Sequence, residues 1–225
     1  KLEFIWTIIP VIVLAGLIIY GLFTWTDIMN VDTEDDPMVV ELYAYQFDWR
    51  ARYSGGDNTL GEANVRLIEG VNQLGVDPSD PNAQDDVVVN ELHLPLGRKV
   101  LFKMRSQDVL HSAYMPHFRA QMNCVPGMIT QFAFTPSITT EDMRLNDDVM
   151  AKVSDINRLR REKSLVLAQK GEEALEPYEF DYLLLCNKIC GTNHYNMQMK
   201  IVVESPEDYA AWMESQPTFA EVIKK

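Results

Sequence analysis

The sequence predicts an all-β sandwich that follows one transmembrane helix and contains a helical insertion. Short alternating or apolar segments recur between turn residues, as in sandwich folds. An uncharged apolar stretch lies near the start of the chain, and a stretch rich in Glu, Lys, Arg and Leu lies between residues 139 and 176. We therefore expect a transmembrane helix at 1–29 and an extracytoplasmic domain at 30–225, with its helical insertion at 139–176.

The first element is the apolar segment at residues 4–23, which is long enough to cross the hydrocarbon core of a bilayer as a helix. A secretory signal peptide is the alternative, but it would have a basic start and a shorter apolar run. Asp27 and an acidic cluster at 32–36 follow the segment, and no basic residue occurs between the segment and Arg50. Because positive charge collects on the cytoplasmic side, the domain that follows is expected outside.

The strands are predicted next, from alternation and from short apolar runs. Residues 43–53 alternate with a period of two, which is typical of a half-buried strand. Further strand-like segments occur at residues 87–94, 100–104, 128–134, 180–185 and 199–203. Turn residues, such as Pro126-Gly127, separate them. Few helical segments interrupt this series, so the strands are expected to form a sandwich.

Two helical regions are predicted from their capping residues and composition. The insertion contains no Pro or Gly before Gly171, and Thr139 is placed to cap its first helix. Near the end of the chain, Ser205 is followed by Pro206, the pattern of an N-cap with Pro at the first helical position. We expect a short helix after it, over residues 209–215.

The segment at residues 186–197 contains two thiols, an imidazole and a thioether within twelve residues. Thiolate and thioether ligands favour copper, and imidazole suits copper as well as zinc. His111, predicted to lie on a strand, is the upstream candidate. Cys186 and Cys190 could bridge two copper ions, with one imidazole on each ion and Met197 and a backbone carbonyl as the remaining ligands. Because a shared electron changes each metal only slightly, such a centre is suited to moving electrons.

Two other interpretations of this segment remain open. Cys186 and Cys190 could form a disulfide in an oxidising compartment, or join His111 and His194 in a tetrahedral zinc site. Met197 distinguishes these interpretations from copper, because a thioether has no role in a disulfide and is a poor zinc ligand. Met can also be simple core filler.

Composition narrows the classes of partner. The chain has a formal net charge of −13, which argues against nucleic acid and favours a basic partner attracted by charge. An acidic surface that maintains solubility is the alternative. The third cysteine, Cys124, lies far from the other two in sequence, and we expect it to be a small buried apolar side chain.

Four segments resemble subunit II of bacterial haem–copper cytochrome c oxidases: residues 3–10, 46–49, 108–112 and 186–197. The resemblance covers nearly the whole chain except the insertion. It implies a cupredoxin domain outside the cytoplasmic membrane, usually behind two helices, so a further helix is expected upstream of residue 1. His93 and His117 match no ligand position of the family and are expected to be surface or structural histidines.

The resemblance implies a dinuclear copper A centre, with ligands at His111, Cys186, Cys190, His194, Met197 and the backbone carbonyl of Lys188. Electrons would come from cytochrome c and pass to haem in subunit I, where oxygen is reduced and protons are pumped. No residue of this chain would catalyse the oxygen chemistry. A quinol oxidase subunit would lack the ligands, and a copper chaperone would need no such dinuclear loop.

The resemblance also assigns roles to three residues outside the ligand set. Glu3 matches an acidic residue at the mouth of a proton channel into subunit I, although it could be an ordinary charge at a membrane boundary. Phe47 stands where many relatives have the tryptophan that accepts electrons, with Trp49 close by. This difference favours a docked cytochrome domain over a diffusing cytochrome c, and a respiratory supercomplex is one setting for such a domain.

Lys188 also departs from the family pattern. Many relatives have Glu at this position, and its carboxylate helps to bind magnesium at the subunit interface. An ammonium group offers no lone pair to a cation. The resemblance therefore leaves magnesium binding in doubt for this chain, while other oxidase subunits and membrane lipid remain expected partners.

Overall fold

The computed structural model describes residues 2–29 and 36–224. The chain divides into two compact units, Lys1–Asp36 and Pro37–Lys225. The expected domain boundary falls between residue 29, which is described, and residue 30, which lies outside the described residues, as does most of the predicted acidic cluster at 32–36.

The first unit consists of one helix, α1, at Leu2–Met29. Its 28 residues include Pro10, and none of them is buried within this unit. At a rise of 1.5 Å per residue, the helix is about 42 Å long, more than the roughly 30 Å hydrocarbon core of a bilayer. The prediction of an apolar helix of spanning length is therefore confirmed.

The second unit is a sandwich of two five-stranded sheets, the first in the order β3-β2-β1-β5-β8 and the second in the order β4-β10-β9-β6-β7. The strands are β1 Met38–Tyr45, β2 Asp48–Tyr53, β3 Val87–Val89, β4 Leu92–Pro95, β5 Val100–Ser106, β6 His111–Met115, β7 Ala120–Cys124, β8 Thr130–Phe134, β9 Tyr182–Cys186 and β10 Gln198–Glu204. Buried apolar side chains from both sheets, such as Phe102 and Leu184, form one core. The predicted sandwich is confirmed.

The prediction of a single strand at 43–53 was wrong, because the chain reverses at Gln46 and Phe47 to form a hairpin. Tyr45 pairs with Asp48, so the odd positions of β1 share a face with the even positions of β2. Tyr43 consequently lies in a small second apolar cluster on the outer face, while Trp49 lies in the main core. A two-residue turn leaves the alternating pattern uninterrupted, which is why the sequence pattern does not reveal it.

The segment predicted as one strand at 87–94 is also two strands, and they belong to different sheets. β3 pairs with β2 in the first sheet, and β4 pairs with β10 in the second. Asn90 and Glu91 lie between them, and Glu91 is exposed. The chain passes from one sheet to the other at this bend. The sequence pattern does not reveal the break, because apolar residues occur on both sides of it.

The helices of this unit are α2 Thr140–Arg144, α3 Asp147–Gln169, α4 Pro206–Glu214 and α5 Phe219–Val222. The predicted caps are confirmed, because Thr139 and Ser205 each accept a hydrogen bond from the third residue after them, at 3.0 and 3.1 Å. The helical part of the insertion ends at Gln169. The following segment returns along α3, where Asn157 and Tyr178 exchange hydrogen bonds of 2.9 and 2.7 Å.

Candidate metal centre

Three strands of the second sheet bring the predicted ligands to one edge of the sandwich. β9 lies between β6 and β10 and is antiparallel to both. The start of β6, the end of β9 and the start of β10 therefore meet. His111 begins β6, Cys186 ends β9 and Met197 directly precedes β10, while the Cys186 N–H donates to the Met197 carbonyl at 3.1 Å.

The donor atoms of all six predicted ligands converge there. The two sulfur atoms of Cys186 and Cys190 lie 3.9 Å apart. Nδ1 of His111 lies 3.8 Å from the Cys186 sulfur, and Nδ1 of His194 lies 3.6 Å from the Cys190 sulfur. Each thiol thus has its own imidazole. A disulfide would hold the sulfurs about 2.05 Å apart, so both cysteines are free thiols here.

Two weaker donors complete the cluster, one beside each thiol. The Met197 sulfur lies 3.8 Å from the Cys190 sulfur. The carbonyl oxygen of Lys188 lies 3.2 Å from the Cys186 sulfur, while its side chain is exposed. The arrangement therefore has two similar halves, each with one thiol, one imidazole and one weak donor.

Burial affects the pKa of one of the two thiols. Desolvation, together with the neighbouring Cys186 thiol, raises the pKa of Cys190 to about 11. At neutral pH this thiol is therefore protonated in the absence of a metal. Because thiolates are the species that bind metals, loading the site must release protons.

Asp108 holds His111 in position. Its carboxylate lies 2.8 Å from Nε2 of His111 and accepts backbone N–H groups of Gln46 and Val109 at 2.7 Å each. Burial is the largest single effect and raises the Asp108 pKa, but these hydrogen bonds, led by the one from His111, outweigh it and lower that pKa. The charged carboxylate thus fixes the ring with Nδ1 toward Cys186. The sequence analysis included Asp108 in a motif but gave it no role.

The hairpin turn between β1 and β2 packs against the ligand loop. The side-chain amide of Gln46 donates to the Cys190 carbonyl. The half-buried ring of Phe47 lies against Gly191, where a Cβ atom would come within 2.7 Å of the ring. Gly191 has a φ of +147°, which L residues rarely adopt. Gln46 supports the loop in a way that its sequence position alone did not indicate.

Of the other residues singled out from the sequence, Trp49 lies beside the cluster, and Glu3 lies in the other unit. Trp49 is fully buried, with its ring centroid 6.3 Å from that of His111. Cys124 is fully buried on β7, and burial raises its pKa to about 12, as expected for a small apolar side chain. Glu3 lies in the first turn of α1, in the other unit.

Both remaining histidines have structural contacts of their own. His93 binds Glu204 at 2.8 Å and stacks on a tryptophan ring, with the two ring centroids 3.9 Å apart. The imidazole of His117 packs edge-on against Phe180, with ring centroids 5.0 Å apart. These contacts agree with the surface or structural roles predicted for both residues.

The donor set fits copper better than the alternatives. A structural zinc site takes four ligands, whereas six donors converge here, and three of them, the two thiols and the thioether, are soft. Among the described residues, His111, Cys186 and Cys190 form the compact group that could hold a metal ion; their ligand atoms lie within 4.8 Å of one another, and the group contains no carboxylate. Hard cations that prefer oxygen ligands are therefore disfavoured.

The sandwich and this soft-donor cluster define a cupredoxin-like domain. Residues 38–142 match the family model described as cytochrome c oxidase subunit II, periplasmic domain. The chain is 36% identical over 208 residues to the alternative cytochrome c oxidase subunit 2 of Bradyrhizobium diazoefficiens, which covers 92% of this chain and 60% of the relative. These matches assign residues 38–142 to the cytochrome c oxidase subunit II family.

Two further comparisons accompany this assignment. Cytochrome c oxidase subunit 2 of Alkalihalophilus pseudofirmus is 25% identical over 95% of this chain and 44% of the relative. The chain thus spans less than two thirds of these two curated relatives. The periplasmic domain of subunit II from Bradyrhizobium japonicum aligns with a TM-score of 0.45 and 18% identity, over 79% of this chain and 91% of that one.

Proposed function

We propose that this chain is the electron-accepting subunit of a respiratory cytochrome c oxidase. In this proposal, His111, Cys186, Cys190, His194, Met197 and the Lys188 carbonyl hold a dinuclear copper A centre. The convergence of these six donors, with one imidazole beside each of two adjacent thiols, carries the proposal. When bound, copper A supplies one-electron transfer between a cytochrome and a haem.

The protein residues would keep the centre rigid and dry. His111 and Met197 are almost completely buried, and both cysteines are less than a tenth exposed. Asp108 fixes one imidazole, and the hairpin turn supports the loop from the other side. Restricted ligands and excluded water lower the reorganisation that accompanies each electron transfer, because fewer dipoles move when the charge changes.

Electrons would reach the site through Phe47. This ring is partly exposed and packs against Gly191, the residue after Cys190, whereas Trp49 is buried behind His111. We therefore assign Phe47 as the outer contact and Trp49 as an inner aromatic neighbour.

The donor is either a diffusing cytochrome c or a docked cytochrome domain, for which a supercomplex is one setting. We favour the docked domain because Phe47 replaces the tryptophan of many relatives. Stopped-flow reduction across salt concentrations distinguishes the two, since the Debye length falls from about 10 Å at 0.1 M to about 3 Å at 1 M. A rate that falls steeply with salt would favour a diffusing donor.

The remaining assignments concern the membrane and partner subunits. α1 would anchor the chain in the bacterial cytoplasmic membrane, beside lipid and subunit I, with the copper domain on the periplasmic side. Glu3 would lie at the mouth of the proton channel. Lys188 offers no ligand side chain for magnesium at the subunit interface. The acidic chain is not expected to bind nucleic acid.

Copper stoichiometry with electron paramagnetic resonance on the purified chain tests the proposal. We expect two copper ions per chain and one unpaired electron coupled to both nuclei. Lys188→Ala should retain this signal, because any residue supplies a carbonyl, while Lys188→Pro should lose it through redirection of the loop. One copper per chain, or coupling to a single nucleus, would contradict the dinuclear centre.

A further inference from the structure

Helix α3 has one face that packs on its own domain and another that is exposed. Val149 and Val153 pack against the main core. Farther along the same face, Asn157 binds Tyr178, and the Ser164 hydroxyl accepts the Leu175 N–H at 2.9 Å. The inner face of α3 is therefore covered by contacts with the core and with the returning segment.

The exposed side carries a line of residues that we call the α3 stripe: Lys152, Ile156, Leu159, Lys163 and Val166. Their spacing alternates between four and three residues, which aligns them along the helix for about 21 Å. Ile156, Leu159 and Val166 are 36%, 55% and 51% exposed. This spacing is that of a coiled-coil seam, in which a narrow apolar line packs against a second helix.

The stripe itself carries two lysines and no acidic residue, whereas acidic residues lie just before and just after residues 152–170: Asp147, Asp148, Glu172, Glu173 and Glu176. Residues 152–170 contain six basic and two acidic side chains, in a chain with 20 basic and 33 acidic residues. Both acidic residues, Asp155 and Glu162, lie near Arg158, at 3.7 and 3.0 Å. Within the part of the chain that the structure describes, no carboxylate forms an ion pair with Lys152 or Lys163.

We propose that the α3 stripe is the docking surface for an α-helix of a partner protein, with carboxylates flanking an apolar seam. Carboxylates would pair with the two stripe lysines, and the apolar seam would cover the three apolar side chains. A second copy of α3 would bring the same basic charge against it. A membrane surface would require a broader apolar face. The surface shares no residue with the copper cluster.

Site-specific photo-crosslinking in the intact oxidase in native membranes tests this inference. A benzoylphenylalanine at Leu159 should form adducts with another polypeptide, at positions on a helix with apolar and acidic residues. Leu165 is the matched control, because it is 69% exposed on the same helix but lies outside the stripe. We expect its adduct yield to be at least tenfold lower.

Charge reversal provides the second measurement. Lys152→Glu with Lys163→Glu should lower the Leu159 adduct yield at least tenfold, and acid-to-lysine changes on the cross-linked helix should restore it. Copper content should stay unchanged, which separates this result from misfolding and from failure of the copper assignment. Adducts with lipid alone, with a second copy or with nothing would overturn the inference, as would insensitivity to charge reversal or equal yields at both positions.

Discussion

Gly191→Ala should destabilise the ligand loop for two separable reasons. The backbone φ of +147° is rarely adopted by L residues. A Cβ atom at this position would also lie 2.7 Å from two ring atoms of Phe47 and 2.9 Å from the amide nitrogen of Gln46. The hairpin turn and the loop must therefore move apart to accommodate one methyl group.

The magnitude follows from these two contributions. A strained backbone conformation costs about 1–3 kcal/mol, and overpacking costs about 1–3 kcal/mol. The Phe47 ring is partly exposed and can shift, so we expect the lower part of the combined range, about 2–4 kcal/mol. At about 2–4 °C per kcal/mol for a chain of this size, the Tm should fall by about 4–16 °C.

Thermal unfolding of the copper-free chain in a chelator measures this effect. Gly97→Ala is the matched control, because Gly97 has a φ of +76° but no atom within 4 Å of an added Cβ. Phe47→Ala in the Gly191→Ala background should recover part of the loss by removing the ring contact. The reasoning is refuted if Gly191→Ala is no more harmful than Gly97→Ala, or if Phe47→Ala recovers nothing.

Four further substitutions test the cluster, its support by Asp108 and a buried carboxylate elsewhere in the domain. Cys190→Ser should abolish the shared-electron resonance signal while Cys124→Ser preserves it; loss in both would make Cys124 a ligand. Asp108→Asn should weaken copper affinity about 10- to 100-fold in chelator competition, and unchanged affinity would contradict its positioning role. Asp86 is a fully buried carboxylate outside the ligand cluster, and it binds Arg52 at 2.9 Å. Burial raises the pKa of Asp86 from 3.8 to about 6, so the folded chain binds more protons between these values and stability falls as pH rises through them. Asp86→Asn should flatten that pH dependence of the free energy of unfolding, measured by denaturant titrations. An unchanged pH dependence would mean that another group causes it.

The convergence of the candidate ligands was predictable because their chemistry is local. Cys186, Cys190, His194 and Met197 lie within twelve residues, and few metals suit that combination. The caps at Thr139 and Ser205 were predictable for the same reason, since each contact spans three residues. Residue type and short spacing carry such information without knowledge of the fold.

Features that depend on contacts distant in sequence were not predictable. The amide of Gln46 reaches a carbonyl 144 residues away, and its backbone N–H reaches Asp108, 62 residues away. Strand β7 at Ala120–Cys124 was missed because its sequence mixes polar and apolar residues, and its partner β6 determines its place in the sheet. Sheet pairing and the support of the site both arise from the completed sandwich.

The turn at Gln46 and Phe47 links the two halves of the proposed mechanism. Its amide and ring contact the ligand loop, and its backbone holds Asp108, which fixes His111. Phe47 also contributes to the surface through which electrons are proposed to arrive. A partner that displaces this turn would therefore disturb both imidazole orientation and loop position. A cytochrome domain that docks rigidly beside this turn is consistent with the arrangement, because the contacts that support the ligand loop then remain unchanged while an electron passes.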